Sequence, residues 1–284
     1  MKVAVLGYGT VGAGVYSMLS DAPGMEAGPV LVRPGKAVES FMVSDAALIF
    51  GDPTVDAVVE TLGRLDPAYS YGMRALKAGK HFITANKAMV AAHGLELAAL
   101  AREKGAAFLF SAACGGGVPF LHNLALSAET DRIEAVSGIL NGTTNYMLDA
   151  MQRRSLSYGD ALRKAQSLGY AESDPTADVS GLDALRKMQL ACAVAFGVLP
   201  QSGMLCEGME HFTAADVEDI QSRGLVCRLM ARGSRAGEGV SAYVEPVLFP
   251  RAAPESSVFT NNNMARYTGK RCGSIVLMGQ GAGR

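Results

Sequence analysis

The sequence predicts an α/β protein, with a doubly wound parallel sheet in the first part and a second α+β domain after it. Three observations carry that expectation. Short apolar runs alternate with helical stretches up to about residue 127. A glycine-rich turn directly follows the first apolar run, and the texture of the chain changes after Asp131. Strand and helix in regular alternation build a parallel sheet covered on both faces.

The elements follow in order. Val3 to Leu6, Val30 to Val32, Ala47 to Phe50, Ala57 to Thr61, His81 to Thr84 and Ala107 to Phe110 are short and apolar. Each is bounded by Gly, Asp or Pro, which reads as a buried parallel strand. Val11 to Leu19, Pro67 to Ala78 and Ala88 to Lys104 have helical patterns. Beyond Asp131, Arg132 to Leu140 reads as a strand ending at Asn141-Gly142, and helices dominate to about Phe196. Val240 to Val247 and Ser274 to Met278 are again strand-like, and Ala252 to Asn263 is polar and loop-like. The expected division is residues 1–128 plus 257–284 as one domain and residues 129–256 as an inserted second domain.

Composition narrows the function classes. At 284 residues, with 49% hydrophobic and 19% charged residues, the chain can bury one large core or two modest ones. A net charge of −1 offers no electrostatic reason for a nucleic-acid or membrane partner. The opening apolar run enters a glycine turn at once, as a buried strand does and a signal peptide does not. A cytoplasmic location is expected. The five cysteines are scattered and lack a C-x-x-C pair, and the four histidines lack ligand spacing. Neither a disulfide framework nor a metal cluster is therefore expected.

Gly7-Tyr8-Gly9-Thr10-Val11-Gly12 sits where a first strand gives way to a first helix. Gly7 permits the tight turn, Gly9 lets backbone approach a pyrophosphate, and Gly12 lets helix and strand pack closely. The helix N-terminus offers N–H groups and the positive end of its dipole to phosphates. In this position the pattern favours a Rossmann-like dinucleotide site over a structural turn. The second strand ends in Val32-Arg33-Pro34-Gly35-Lys36, without the acid that holds a ribose 2′-hydroxyl. Arg33 and Lys36 are either receptors for a 2′-phosphate, favouring NADP over NAD, or solvated surface cations.

Asp183 and Lys187 are four residues apart on a predicted helix and share a face. Glu172, Asp174 and Asp178 lie in the Pro- and Gly-broken loop before it. Carboxylates beside a lysine suit an amino-acid substrate, the acids holding the ammonium and the lysine serving an oxygen. The plain alternative is a helical ion pair on a solvated face.

Three segments make a family resemblance. Thr84-Ala85-Asn86-Lys87, the Leu-Asn-Gly-Thr-Thr-Asn run within residues 139–147, and the long segment 169–187 together resemble homoserine dehydrogenase. The likeness extends from the glycine turn to the closing Gly279–Gly283. It implies interconversion of homoserine and aspartate 4-semialdehyde with NAD or NADP, in threonine and methionine biosynthesis. It also implies a homodimer built on the second domain's strands. Lys187 and Lys87 become catalytic lysines, either of which could move the proton, and Asp183 positions Lys187 or meets the substrate hydroxyl. Glu172 and Asp178 hold the amino end, while Gly142 and Thr143 line the site. Tyr8 to Val11, Thr61, Asn86, Lys87 and the terminal Gly281, Ala282 and Gly283 become cofactor contacts.

The chain also departs from the pattern. Ser111 stands where an acid helps anchor a monovalent cation, and a hydroxyl lacks its charge, so cation binding is not expected there. Ser20 to Ala46 leaves little room for a helix between the second and third strands. The sequence stops where a packing helix would follow, and no regulatory module that would confer feedback by threonine is expected. Two rival functions remain. One is a thiol-dependent aldehyde dehydrogenase using Cys114, which needs a base or helix N-terminus to form thiolate and is otherwise a core thiol. The other is a dinucleotide-binding sensor without turnover.

Overall fold

A computed structural model describes residues 1–201, 204–237 and 239–281. The chain divides into two compact units, residues 1–113 and 114–284.

The first unit begins with β1 (Lys2–Leu6), α1 (Thr10–Asp21), β2 (Glu26–Leu31), β3 (Met42–Val43) and the short α2 (Ala47–Phe50). It continues with β4 (Ala57–Glu60), α3 (Leu65–Lys77), β5 (His81–Thr84), α4 (Lys87–Lys104) and β6 (Phe108–Leu109). The strands are all parallel, in the order β3-β2-β1-β4-β5-β6. This is a doubly wound sheet whose order reverses between β1 and β4, so a crevice opens at their carboxyl ends. Val3, Ala4, Val5, Leu6, Val58 and Phe82 are buried, as expected for strands covered on both faces. The side chain of Asn86 caps α4, and Gly105 ends it in the left-handed region, where glycine is unstrained.

One predicted strand is a helix. Ala47–Phe50 forms α2, and Met42–Val43 takes the edge of the sheet beside β2. The Asp45 carboxylate accepts from the Ala47 N–H at 2.8 Å, turning the chain. Ile49 is buried, and Phe50 stacks on Tyr71 with centroids 5.6 Å apart. Four consecutive apolar residues satisfy a buried strand and a buried helical turn alike. Residues 32–41, between β2 and β3, contain no helix.

The second unit comprises α5 (Phe120–Thr130), β7 (Ile133–Ile139), α6 (Gly142–Arg154), α7 (Tyr158–Ser167), α8 (Thr176–Val179) and α9 (Leu182–Phe196). These are followed by β8 (Leu205–Cys206), α10 (Ala214–Ser222), β9 (Leu225–Ala236), β10 (Gly239–Pro250), β11 (Asn262–Gly269) and β12 (Gly273–Gln280). Its sheet runs β12-β11-β7-β9-β10-β8, antiparallel except for the β8–β10 pair. Helix α9 packs on β7, β9 and β10. It approaches closely because Gly233 leaves room for Cys192 and Met188, where a methyl would collide with both sulfurs.

Residues 257–284 were expected to rejoin the first domain, but their described strands lie elsewhere. β11 pairs with β7 from Met264 opposite Ile139 to Gly269 opposite Ile133, and β12 flanks it. Residues 114–128, also expected in the first domain, belong to the second unit, where α5 packs against α9. Strand patterning reveals a strand but not which sheet it joins. No helix among the described residues is long and apolar enough to cross a membrane.

Candidate active site

In the first unit the features gather at the carboxyl ends of β1, β4 and β5. Gly7 has φ +100°, and its N–H donates to Leu31 O at 2.9 Å, tying the turn to β2. Gly12 faces the backbone of Gly7 and the Thr61 hydroxyl so closely that any side chain would overlap them. Gly9 is different, because a methyl there would meet nothing within 4 Å. No side chain caps α1, so its first-turn N–H groups remain available to a phosphate beside this open glycine. Thr61 donates to Leu6 O at 3.0 Å, which fixes the floor of the turn. These residues fit a bound dinucleotide.

Tyr8 packs with Tyr16 and Phe41, and Tyr16 stacks on Phe41 at 4.4 Å. Val11, Arg33 and Lys36 are exposed, with Arg33 and Lys36 in one turn closed by Lys36 N–H donating to Arg33 O. Asn86 and Lys87 stand at the start of α4. Asn86 donates to Arg64 O at 3.1 Å and accepts from Met89 N–H at 3.1 Å.

Sequence reasoning missed Glu60, the fully buried acid that braces this end. One of its oxygens accepts from Leu62 N–H at 2.6 Å, and the other accepts from the Thr84 hydroxyl at 2.6 Å. That hydroxyl in turn accepts from Asn86 N–H at 3.0 Å. The acid closing an apolar strand was the available signal.

In the second unit, α9 presents Asp183 and Lys187 one turn apart, their ion pair 2.6 Å long. Their side chains are only 15% and 12% exposed, which rejects the solvated-face alternative. Lys187 Nζ also donates to Leu140 O at 2.7 Å. Asn141, absent from the predicted site, is the hub. Its Nδ2 donates to Asp178 at 2.7 Å and Asp183 at 2.9 Å, while its Oδ1 accepts from Thr144 N–H at 2.9 Å and caps α6. Burial pushes the Asp178 carboxyl above its ordinary range; the Asn141 hydrogen bond pulls it back and the Asp183 charge adds to the rise.

Gly142 begins α6 against Asn261, whose carbonyl leaves no room for a side chain there. Thr143 donates to Tyr170 O at 2.6 Å, joining α6 to the loop that carries Glu172. Glu172 is exposed on that loop. Asp174 is taken up by a local turn, accepting from the Thr176 hydroxyl at 2.6 Å. Gly281 lies against the Asn263 amide, and Ala282 and Gly283 fall outside the described residues. Cys114 is fully buried and donates to Lys187 O at 3.8 Å, the environment of a core thiol. Ser111 opens a short 3-10 turn. Among the described residues no group of three or more His, Cys, Asp or Glu side chains could hold a metal ion.

A parallel sheet of this order, with an open glycine turn at its switch point, is the frame of a dinucleotide-dependent oxidoreductase. Residues 7–111 match the family model described as homoserine dehydrogenase, NAD binding domain, and residues 119–284 match the one described as homoserine dehydrogenase. The chain belongs to the homoserine dehydrogenase family. It is 36% identical to the homoserine dehydrogenase of Lactococcus lactis over 302 residues, covering 100% of this chain and 71% of that protein. With the enzyme of Corynebacterium glutamicum the identity is 37% over 302 residues, covering 99% and 68%. A solved homoserine dehydrogenase from Thiobacillus denitrificans superposes with a TM-score of 0.91 at 34% identity, covering 100% of this chain and 69% of that one.

Proposed function

We propose that this chain interconverts L-homoserine and L-aspartate 4-semialdehyde, preferring NADP, as a step in threonine and methionine biosynthesis. The observation that carries the reading is the half-buried cluster of Lys187, Asp183, Asn141 and Asp178 beside the α6 cap. A bound nicotinamide supplies the hydride acceptor for oxidation and the donor for reduction. In oxidation the hydroxyl proton passes to Lys187 in its neutral amine form, or to a water that Lys187 orients, as the carbinol carbon gives up its hydride. In reduction the same lysine returns a proton to the developing alkoxide. Asp183 aims Lys187, Asp178 and Glu172 hold the substrate ammonium, and Gly142 and Thr143 shape the floor. Lys87 is the second catalytic lysine, and Asn86 and Thr61 join the glycine turn in holding the dinucleotide.

Arg33 supports the NADP preference by its exposure at the carboxyl end of β2. Ser111 stands where an acid would be, so the charge that would attract a monovalent cation is missing at that position. The reading includes a cytoplasmic homodimer formed through the second unit's sheet. It is supported by β12, an edge strand with Val276 and Met278 exposed. The test is the absorbance of reduced nicotinamide with L-homoserine and NAD or NADP in parallel. Homoserine-dependent reduction, faster with NADP, is expected. Silence with both, in folded protein that binds either, would overturn the reading in favour of a sensor.

A further inference from the structure

We propose that Asn141 is a positioning residue that divides the labour of two carboxylates, committing Asp183 to Lys187 and presenting Asp178 to the substrate's ammonium. The proposal rests on the functional reading above. An amide nitrogen carries two hydrogens, and here Asp178 and Asp183 receive them at 2.7 and 2.9 Å. The amide's orientation follows from its other end. Oδ1 faces Thr144 N–H, which can only donate, so Nδ2 must face the acids. Asn141 is 4% exposed, so little water competes for these bonds.

The chemistry favours an amide over any charged residue at this point. Two carboxylates close together repel, and one tends to hold a proton unless something stabilises both anions. A lysine or arginine would do so, but it would also compete with a substrate ammonium for the same acids. A neutral double donor supports both anions without adding a positive charge, so Asp183 stays with Lys187 and the charge of Asp178 is left for the substrate. The charged groups around it are Asp178 from α8 and Asp183 and Lys187 from α9. Lys187 is further gripped by the carbonyl of Leu140, the residue just before Asn141. One loop therefore fixes the lysine, its acid and the second acid together.

The competing explanation is that Asn141 only caps α6. Asn141→Ser and Asn141→Asp separate the two, since both side chains accept from Thr144 N–H and keep the cap. Serine offers one donor instead of two, and aspartate adds a third anion. Melting temperature reports the cap, homoserine KM and kcat report the site, and the carboxyl carbons of Asp178 and Asp183 are titrated by carbon-13 NMR. Both variants should remain folded, with KM raised roughly tenfold or more, the loss of about one charged hydrogen bond. The Asp178 and Asp183 titrations should move upward, further in Asn141→Asp. Unmoved titrations would overturn the proposal whatever the activity, and so would a wild-type KM in both variants. If the wild-type protein does not oxidise homoserine, the functional reading fails by itself, and the titrations alone decide the role of Asn141.

Discussion

Substituting Gly12 by alanine should damage the nucleotide turn in a way that no other glycine of α1 shares. A methyl group at Gly12 would lie 2.8 Å from Thr61 Oγ1, 2.9 Å from the Gly7 carbonyl carbon, and closer still to the Gly7 carbonyl oxygen. Optimal carbon contacts lie at roughly 3.5 Å or beyond. Two of those three atoms are backbone and belong to the turn itself, so relief requires moving the helix or the turn. Overpacking costs about 1–3 kcal/mol, and the upper end applies where backbone must move. Alanine's better helix propensity returns about 1 kcal/mol, leaving a net loss near 2 kcal/mol. For a unit of this size that lowers Tm by roughly 8 °C or more.

Two controls lie in the same turn and helix. Gly14 has nothing within 4 Å, so Gly14→Ala should raise stability by about 0.5–1 kcal/mol. Gly9 is equally open, with φ −82°, so Gly9→Ala should fold normally yet weaken nucleotide binding by putting a methyl where the pyrophosphate approaches. The assay is thermal unfolding with and without cofactor, alongside fluorescence titration with NADPH. Equal stability of Gly12→Ala and Gly14→Ala would refute the packing argument. Undiminished binding by Gly9→Ala would refute the placement of the dinucleotide.

Further outcomes are expected elsewhere. Lys187→Ala should lose most homoserine turnover while NADPH titration stays as in the wild type; unchanged turnover would remove the lysine from the chemistry. Arg33→Ala should shift the ratio of NADP to NAD efficiency toward NAD, and indifference of that ratio would leave Arg33 a surface cation. The backbone N–H of Cys272, helped by those of Arg271 and Arg132, holds the Asp131 carboxyl down at about 2. A lowered acid stabilises the fold above its unfolded value of 3.8 and loses that contribution as pH falls toward 2. Asp131→Asn should therefore melt earlier at neutral pH, and its deficit should close across that acid window. A deficit constant down to pH 2 would contradict the assigned cause.

The sequence disclosed the sites through residues whose chemistry is local. The Gly7–Gly12 turn needs only its neighbours to be read, and Asp183 and Lys187 need only the helical period. What it concealed depends on contacts made far along the chain. In sequence Asn141 only closes a strand, while its bridge spans 37 residues to Asp178 and 42 to Asp183. Glu60 shows an acid after an apolar strand, while its partner Thr84 lies 24 residues away. The same limit explains β11 and β12. Only Ser274 to Met278, in β12, reads as strand-like in sequence; β11 pairs directly with β7 and β12 joins the sheet through β11, so its place is decided by a surface more than 120 residues earlier. Ala47–Phe50 failed for a different reason, because a run of four apolar residues carries no period.

The doubly occupied carboxylate of Glu60 makes the end of the first sheet a stiff mount. Sliding β4 against β5 would break its bond to Thr84, and that bond also steadies the backbone of Asn86. The register of two strands is thus transmitted to the first turn of a helix, with Lys87 next in line. The backbone of Lys87 is thereby placed when the unit folds, before any ligand arrives.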